Sequence, residues 1–270
     1  MDRVALGYTV VEVMIVLGIT AVIFLSAITV FNSQRGPTDF SQSMQDLNST
    51  IQSYANRVTS STYPGSDAYG CSVGGNGRAV LTNGAAQNNQ CIFLGLGILA
   101  PKGQSNLQVY TVLGNRENPS GTDLSNTIAE ALPEPAILNS GGSTSYALTD
   151  SYQLGAGSTI LSAKSNGSEL DLLGMYNGLP GDPPSANSSG TGALELYGYD
   201  CNGANCSSTS PSIPGVKSCI EDSSPCTIFS RLSNPWQLCI QDGRSQNTAL
   251  LTLSSAPGGI ITKLSFQICS

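Results

Sequence analysis

The apolar residues of this chain follow three different patterns, and each predicts a different kind of element. Over residues 8–31 they run almost without interruption, "YTVVEVMIVLGITAVIFLSAITVF", and Glu12 is the only charged side chain. As a helix this stretch is about 36 Å long, enough to cross a hydrocarbon core of about 30 Å. Next, Phe40, Met44, Leu47, Ile51, Tyr54 and Val58 recur at alternating spacings of four and three. That spacing marks one face of an amphipathic helix. Such a stripe is expected to lie against a sheet of the same chain, since a coiled coil would need several more heptads. Gly36-Pro37 falls between the two patterns. Proline withholds a backbone donor and strains the preceding turn, so a kink or break is expected there, or else Pro37 opens a second helix.

Beyond residue 59 the pattern changes to short apolar runs between polar turns, which predicts strands. The runs cover 78–82, 91–99, 107–113, 159–163, 193–199, 236–241, 249–254 and 260–268. Asp242-Gly243 and Pro257-Gly258-Gly259 supply turn chemistry between the last three, which read as an antiparallel meander. A helix is expected over 123–132, stopped by Pro133. Stretches such as "NSGGSTS" and "PGDPPSANSSG" read as surface loops.

Composition narrows the function. Only 11% of the 270 residues are charged and the net charge is −7, with no basic run. Nucleic acid is therefore not a predicted partner. The chain has no histidine, which removes the commonest general base, the Ser-His-Asp arrangement and every Cys/His zinc site. The residues point to no catalytic centre, no metal site and no cofactor. "GGNG" at 74–77 reads as a turn, and "DCNGAN" at 200–205 lacks the distal acid of a calcium loop. Asn-x-Ser/Thr occurs at Asn48, Asn166, Asn187 and Asn205, as expected in so Asn- and Ser-rich a chain. Trp236, the lone tryptophan, opens a predicted strand and reads as core.

Eight cysteines, Cys71, Cys91, Cys201, Cys206, Cys219, Cys226, Cys239 and Cys269, all follow the apolar run, and no two have CxxC spacing. An even number on one side of a membrane segment reads as disulfides in an oxidising compartment. The alternative is a set of small buried thiols in a reducing cell. Eight cysteines allow 105 pairings. Proximity favours Cys71–Cys91, Cys201–Cys206, Cys219–Cys226 and Cys239–Cys269.

The remaining question is why a membrane-length run carries an acid, when a carboxylate at mid-bilayer costs roughly 3 kcal/mol on insertion scales. A secretory signal peptide fits poorly, because the run is long and lacks a small-x-small cleavage site. An ordinary anchor tolerates Glu12 only at the interface. The residues themselves suggest a third answer. "MDRVALG" is a short polar leader ending in Gly7, "YTVVE" follows, and the acid stands fifth beyond that glycine. This N-terminus resembles the type IV pilin and pseudopilin family, specifically through residue 35 and more loosely through residue 58. Two departures are the aromatic Tyr8 where phenylalanine is commoner and Leu6 where a basic residue is frequent. A third is the absence of the mid-helix proline found in many major pilins.

The resemblance implies a division into a leader (1–7), an apolar helix for membrane and filament core (8–35), an amphipathic helix (36–58) and a disulfide-stapled β-rich head (59–270). The fold it implies is α+β and pilin-like: a long N-terminal α-helix packed on an antiparallel β-sheet. It also implies that a prepilin peptidase cuts after Gly7 and methylates the amine of Tyr8. Glu12 would then pair with the Tyr8 amine of the next subunit, giving each buried charge a partner. A glycine at the cut site suits a protease that must approach extended backbone closely. The implied partners are other pilin subunits, the peptidase, a membrane assembly platform with its ATPase, and the lipid bilayer before assembly. The implied location is the cytoplasmic membrane for the precursor, its head outside, and then an extracellular pilus or periplasmic pseudopilus. Two alternatives stay open: a minor tip pilin that binds a surface or substrate, and an uncleaved single-pass surface protein.

Overall fold

Helix α1 (Val10–Thr59) runs unbroken for 50 residues. In this computed structural model neither a break nor a second helix start separates its two halves at Gly36-Pro37. The structure describes residues 9–61, 69–83, 91–117, 120–121, 123–140, 143–180, 193–200, 213–221, 227–229, 231–256 and 259–269. Side chains of residues 29–37 lie outside that description.

The rest of the described chain is built mainly of strands in three sheets. The first holds β10 (Ser168–Glu169), β9 (Thr159–Ser165), β14 (Trp236–Gln241), β15 (Thr248–Ala256) and β16 (Gly259–Ser265), in that order. All its pairings are antiparallel, and β14–β15–β16 is a meander. The second sheet runs β13 (Thr227–Phe229), β12 (Leu194–Asp200), β11 (Leu172–Asn177), β3 (Cys91–Leu99), β4 (Asn106–Asn115) and β5 (Glu134–Pro135). There β8 (Thr149–Gln153) pairs with the early part of β4. The third sheet is β1 (Tyr69–Val73), β2 (Ala79–Asn83), β6 (Ile137–Ser140) and β7 (Ser143–Tyr146). Its β2–β6 contact is parallel.

The expected α+β class is therefore corrected. Among the described residues the chain is mostly β, with 44% strand in three sheets and few helices, and it is not a long helix on a single antiparallel sheet. The physical reason lies in how many faces need cover. The apolar stripe of α1 spans only residues 40–58, and it packs against strands of two sheets, β16 of the first and β3, β11 and β12 of the second. Phe40, Met44, Leu47, Ile51, Tyr54 and Val58 join Trp236, Leu238, Ile240, Leu251 and Leu173 in one core. The opposite face of the seven-stranded sheet needs its own cover. It gets it from a second helix, α2 (Ile213–Ile220), with Val216, Cys219 and Ile220 against Leu99, Tyr110 and Tyr199.

Two glycines permit close approaches within this packing. Gly95 sits at a bulge in β3, where a Cβ would come within 1.9 Å of the Met175 carbonyl oxygen. Gly243, in the β14–β15 turn, lies against Gly157, and a Cβ there would meet its carbonyl oxygen at 2.2 Å.

The helix expected over 123–132 is not formed. Only a single turn appears, with Ala131 N–H bonded to the Thr127 carbonyl and Leu132 at positive φ. The turn is capped at its start, since Glu130 N–H donates to Thr127 Oγ1 and Asn126 N–H to Glu130 Oε2, so it begins only at Thr127. Pro133 then closes the segment.

Candidate functional site: the uncovered helix and its carboxylate

The N-terminal half of α1 is the surface that most needs explaining. Val10–Ile28 is the one described segment long and apolar enough to cross a membrane, with a mean hydropathy of 2.5 and none of it buried by the rest of the chain. Such a helix fits a membrane span or a signal sequence. Its few polar groups are turned inward. Thr20 Oγ1 donates to the Val16 and Leu17 carbonyls and Ser26 Oγ to that of Ile23, so neither hydroxyl leaves an unsatisfied donor on the apolar surface.

Glu12 is similarly accommodated. Thr9 is the N-cap, in extended conformation with φ −76° and ψ 150°. Glu12 N–H donates to Thr9 Oγ1 at 3.3 Å, while Thr9 N–H and Thr9 Oγ1 donate to Glu12 Oε2 at 3.2 and 3.3 Å. This reciprocal box satisfies two of the donors every helix start leaves free. It also sets the carboxylate against the positive end of the helix dipole. Sequence reasoning missed this role, although Thr9-Val10-Val11-Glu12 carries its signal, a threonine followed three residues later by glutamate before an apolar run. Gly7 and Tyr8 lie outside the described residues.

The described cysteines are disulfide-bonded. Cys71 is bonded to Cys91, tying β1 to β3, and Cys239 to Cys269, tying β14 to the tail beyond β16. Cys219 is also disulfide-bonded and is buried on α2. Cys201, Cys206 and Cys226 lie outside the described residues, as does most of "DCNGAN". Among the described residues no group of three or more His, Cys, Asp or Glu side chains could hold a metal ion.

Among the described residues of the head, a dense cluster of charge lies where the third sheet meets α2. Arg78, ahead of β2, reaches Glu134 Oε2 at 3.4 Å and Glu221 Oε1 at 3.7 Å, and donates to the Pro133 carbonyl. Lys217 pairs with Glu134 and, at 2.7 Å, with Glu221. Burial pushes the Glu134 carboxyl up to about 7, and the neighbouring Glu221 adds to that rise. Burial also opposes charge on Glu221, but hydrogen bonds with Glu134 and Lys217 and the charges of Lys217 and Arg78 hold it below the usual value. Two acids against two cations make this a structural tie between three segments. A second tie fixes the upper half of α1, where Tyr54 Oη donates to Asp150 Oδ2 at 3.1 Å and Arg57 lies 3.7 Å from the same oxygen. Burial, with Asp150 beside it, pushes the Tyr54 hydroxyl up to about 12.

No known family profile, curated protein or solved structure matches the chain.

Proposed function

We propose that the protein is a structural subunit of a type IV filament, a pilin or pseudopilin. It is inserted in the membrane as a precursor, cut after Gly7 by a prepilin peptidase and polymerised by an assembly platform and its ATPase. The observation that carries this reading is the pairing of an uncovered apolar helix with a single acid five residues beyond Gly7. A helix with no apolar cover from its own chain needs lipid or other copies around it. Within a filament of such helices a carboxylate needs a cation, and cleavage creates one at the amine of Tyr8.

The Thr9–Glu12 box adds a detail to this reading. Before assembly the carboxylate has local donors; in the polymer it exchanges part of that shell for the Tyr8 amine of the next copy. Removing one member of a buried pair costs about 3–5 kcal/mol. Glu12→Ala is therefore expected to leave insertion and cleavage intact while filament yield collapses. Mass spectrometry of the mature N-terminus, beside quantitation of sheared filaments, tests both halves. A working chain that begins at Met1, or normal filament yield from Glu12→Ala, overturns the proposal.

A further inference from the structure

Five Asn-Gly pairs occur in the chain, and those at 83–84 and 202–203 reach outside the described residues. Such a pair carries a reaction of its own. The backbone nitrogen after an asparagine can attack the side-chain amide carbon, and glycine, lacking a Cβ, lets that nitrogen approach most closely. The other three pairs consist of the same two residues, so what separates them is how the fold holds them.

At Asn76-Gly77 both reacting groups are occupied: Gly77 N–H donates to the Gly74 carbonyl at 2.9 Å, and Asn76 Oδ1 accepts from Arg78 N–H at 3.2 Å. Asn177-Gly178 is tied in the same two places. Gly178 N–H donates to the Ala193 carbonyl at 2.9 Å, and Asn177 Nδ2 to Ser61 Oγ at 3.2 Å. Asn166-Gly167 differs. It forms the two-residue turn between β9 and β10, with both residues exposed and both at positive φ, 49° and 81°. Among the described residues neither the Gly167 N–H nor the Asn166 side chain has a hydrogen-bond partner, and the space a Gly167 Cβ would enter is empty.

Ring closure also requires the Asn166 backbone to rotate out of the turn, and little resists that. Behind the tip the hairpin is closed by two residue pairs, Ser165 with Ser168 and Lys164 with Glu169. Strand β10 lies at the sheet edge with both residues exposed. Lys102 stands 3.9 Å from Glu169 in an exposed ion pair that adds little. Opening stops at Leu170, which is buried, donates its N–H to the Ala163 carbonyl and accepts from Trp236 Nε1. The tip is a small opening unit on a fixed support.

We propose that Asn166 is a self-modification site, where the chain's own backbone and water convert a side-chain amide to a carboxylate. The Gly167 nitrogen bonds to Asn166 Cγ, and the side-chain nitrogen leaves as ammonia, taking the Gly167 amide proton. Water then opens the five-membered imide, at the side-chain carbonyl to give aspartate or at the backbone carbonyl to give isoaspartate. Aspartate puts a new negative charge on the tip. Isoaspartate lengthens the backbone of a two-residue turn, so Ser168 and Glu169 lose register with β9. None of this depends on the polymer reading above.

The test incubates the purified full chain in detergent at mildly alkaline pH, with and without urea, and follows each asparagine by peptide mass spectrometry. Loss of the amide adds about one dalton. In the folded chain Asn166 is expected to convert at least about tenfold faster than Asn76 or Asn177, because it reacts from a local opening. Isoaspartyl methyltransferase is expected to label the same peptide. In urea the three rates are expected to converge, because the residue pairs are alike. Equal rates in the folded chain, or an Asn166 amide that outlasts the other two, overturn the proposal. So does a rate difference that persists undiminished in urea, which would place its cause in the sequence. A glycan on the Asn166 nitrogen, which Asn166-Gly167-Ser168 also permits, would overturn it as well.

Discussion

The two halves of α1 share one continuous backbone and answer to different surroundings. From Phe40 to Val58 the apolar residues occupy one face, every member of that stripe is at most 4% exposed, and of the polar positions between them only Ser43, which accepts from Gly155 N–H, is buried. From Val10 to Ile28 the apolar residues go all the way round, and none of the described residues covers them. A one-sided stripe is the mark of a helix that packs on its own protein; an all-round one marks a helix surrounded by something else. The acids differ in the same way. Glu134 of the head is tied to Lys217 and Arg78, cations from other segments, whereas Glu12 draws its donors from the first turn of its own helix. A carboxylate satisfied this locally can travel with the helix into different surroundings.

Matched truncations give the largest expected break in this contrast. Leu47→Ala opens a cavity in the core shared by α1 and two sheets and is expected to destabilise the head by about 2–5 kcal/mol. Leu17→Ala, on the uncovered half, is expected to change head stability by less than about 0.5 kcal/mol. Denaturant melts of the two variants in the same detergent measure both. Equal losses would mean the halves are not energetically separate.

The next effect is that of the staples. Replacing Cys239 and Cys269 by serine frees a link across 30 residues of sequence, which is expected to cost the head about 3 kcal/mol. Hydrogen exchange should rise in β14–β16 and at Phe266–Ile268, while the first turn of α1, held by Thr9 and Glu12, keeps its protection. Loss of protection at that first turn would show that the head supports it after all.

The smallest expected effect is a pH dependence confined to the head. Glu134 is held at about 7 against an ordinary 4.5, so the folded state prefers its protonated form. The stability this gives is fully present below pH 4.5 and declines as pH rises towards 7. Glu221, held below its usual value, acts in the opposite sense, and its contribution is lost as pH falls through that lowered value. Glu134→Gln keeps a neutral side chain in the cluster and is expected to flatten the decline between pH 4.5 and 7. Parallel melting curves for the variant and the parent chain would contradict this.

Much of the strand framework was legible in the sequence, for a simple reason. The runs at 91–99 and 236–241 coincide with β3 and β14 residue for residue, because a strand between sheet neighbours is written as a compact apolar run bounded by turn residues. One central strand escaped, β11, whose apolar run Leu172, Leu173, Met175 and Tyr176 is interrupted by Gly174; other elements that escaped have few apolar residues or form only against a partner. Strand β5 has two residues and exists by pairing with β4. Helix α2, in a chain segment rich in serine and proline, has eight residues and is held by the core beneath it, the Cys219 disulfide and the Lys217–Glu134 pair. Near Asp123 the opposite error arose, since local polar side chains and Pro133 leave room for one turn.

By itself the sequence determined the properties carried by runs of adjacent residues: an apolar N-terminal helix, the buried face of the segment after it, and which short stretches extend. It also confined the proposed site to one short stretch, Gly7, Tyr8 and Glu12, to which the structure added the capping role of Thr9. Only the tertiary structure decided that the strands divide among three sheets, that α1 packs on two of them, and that Phe266 meets Phe40. Periodicity records which face of a segment avoids water but not which distant face will cover it. That choice is made by packing all the faces at once.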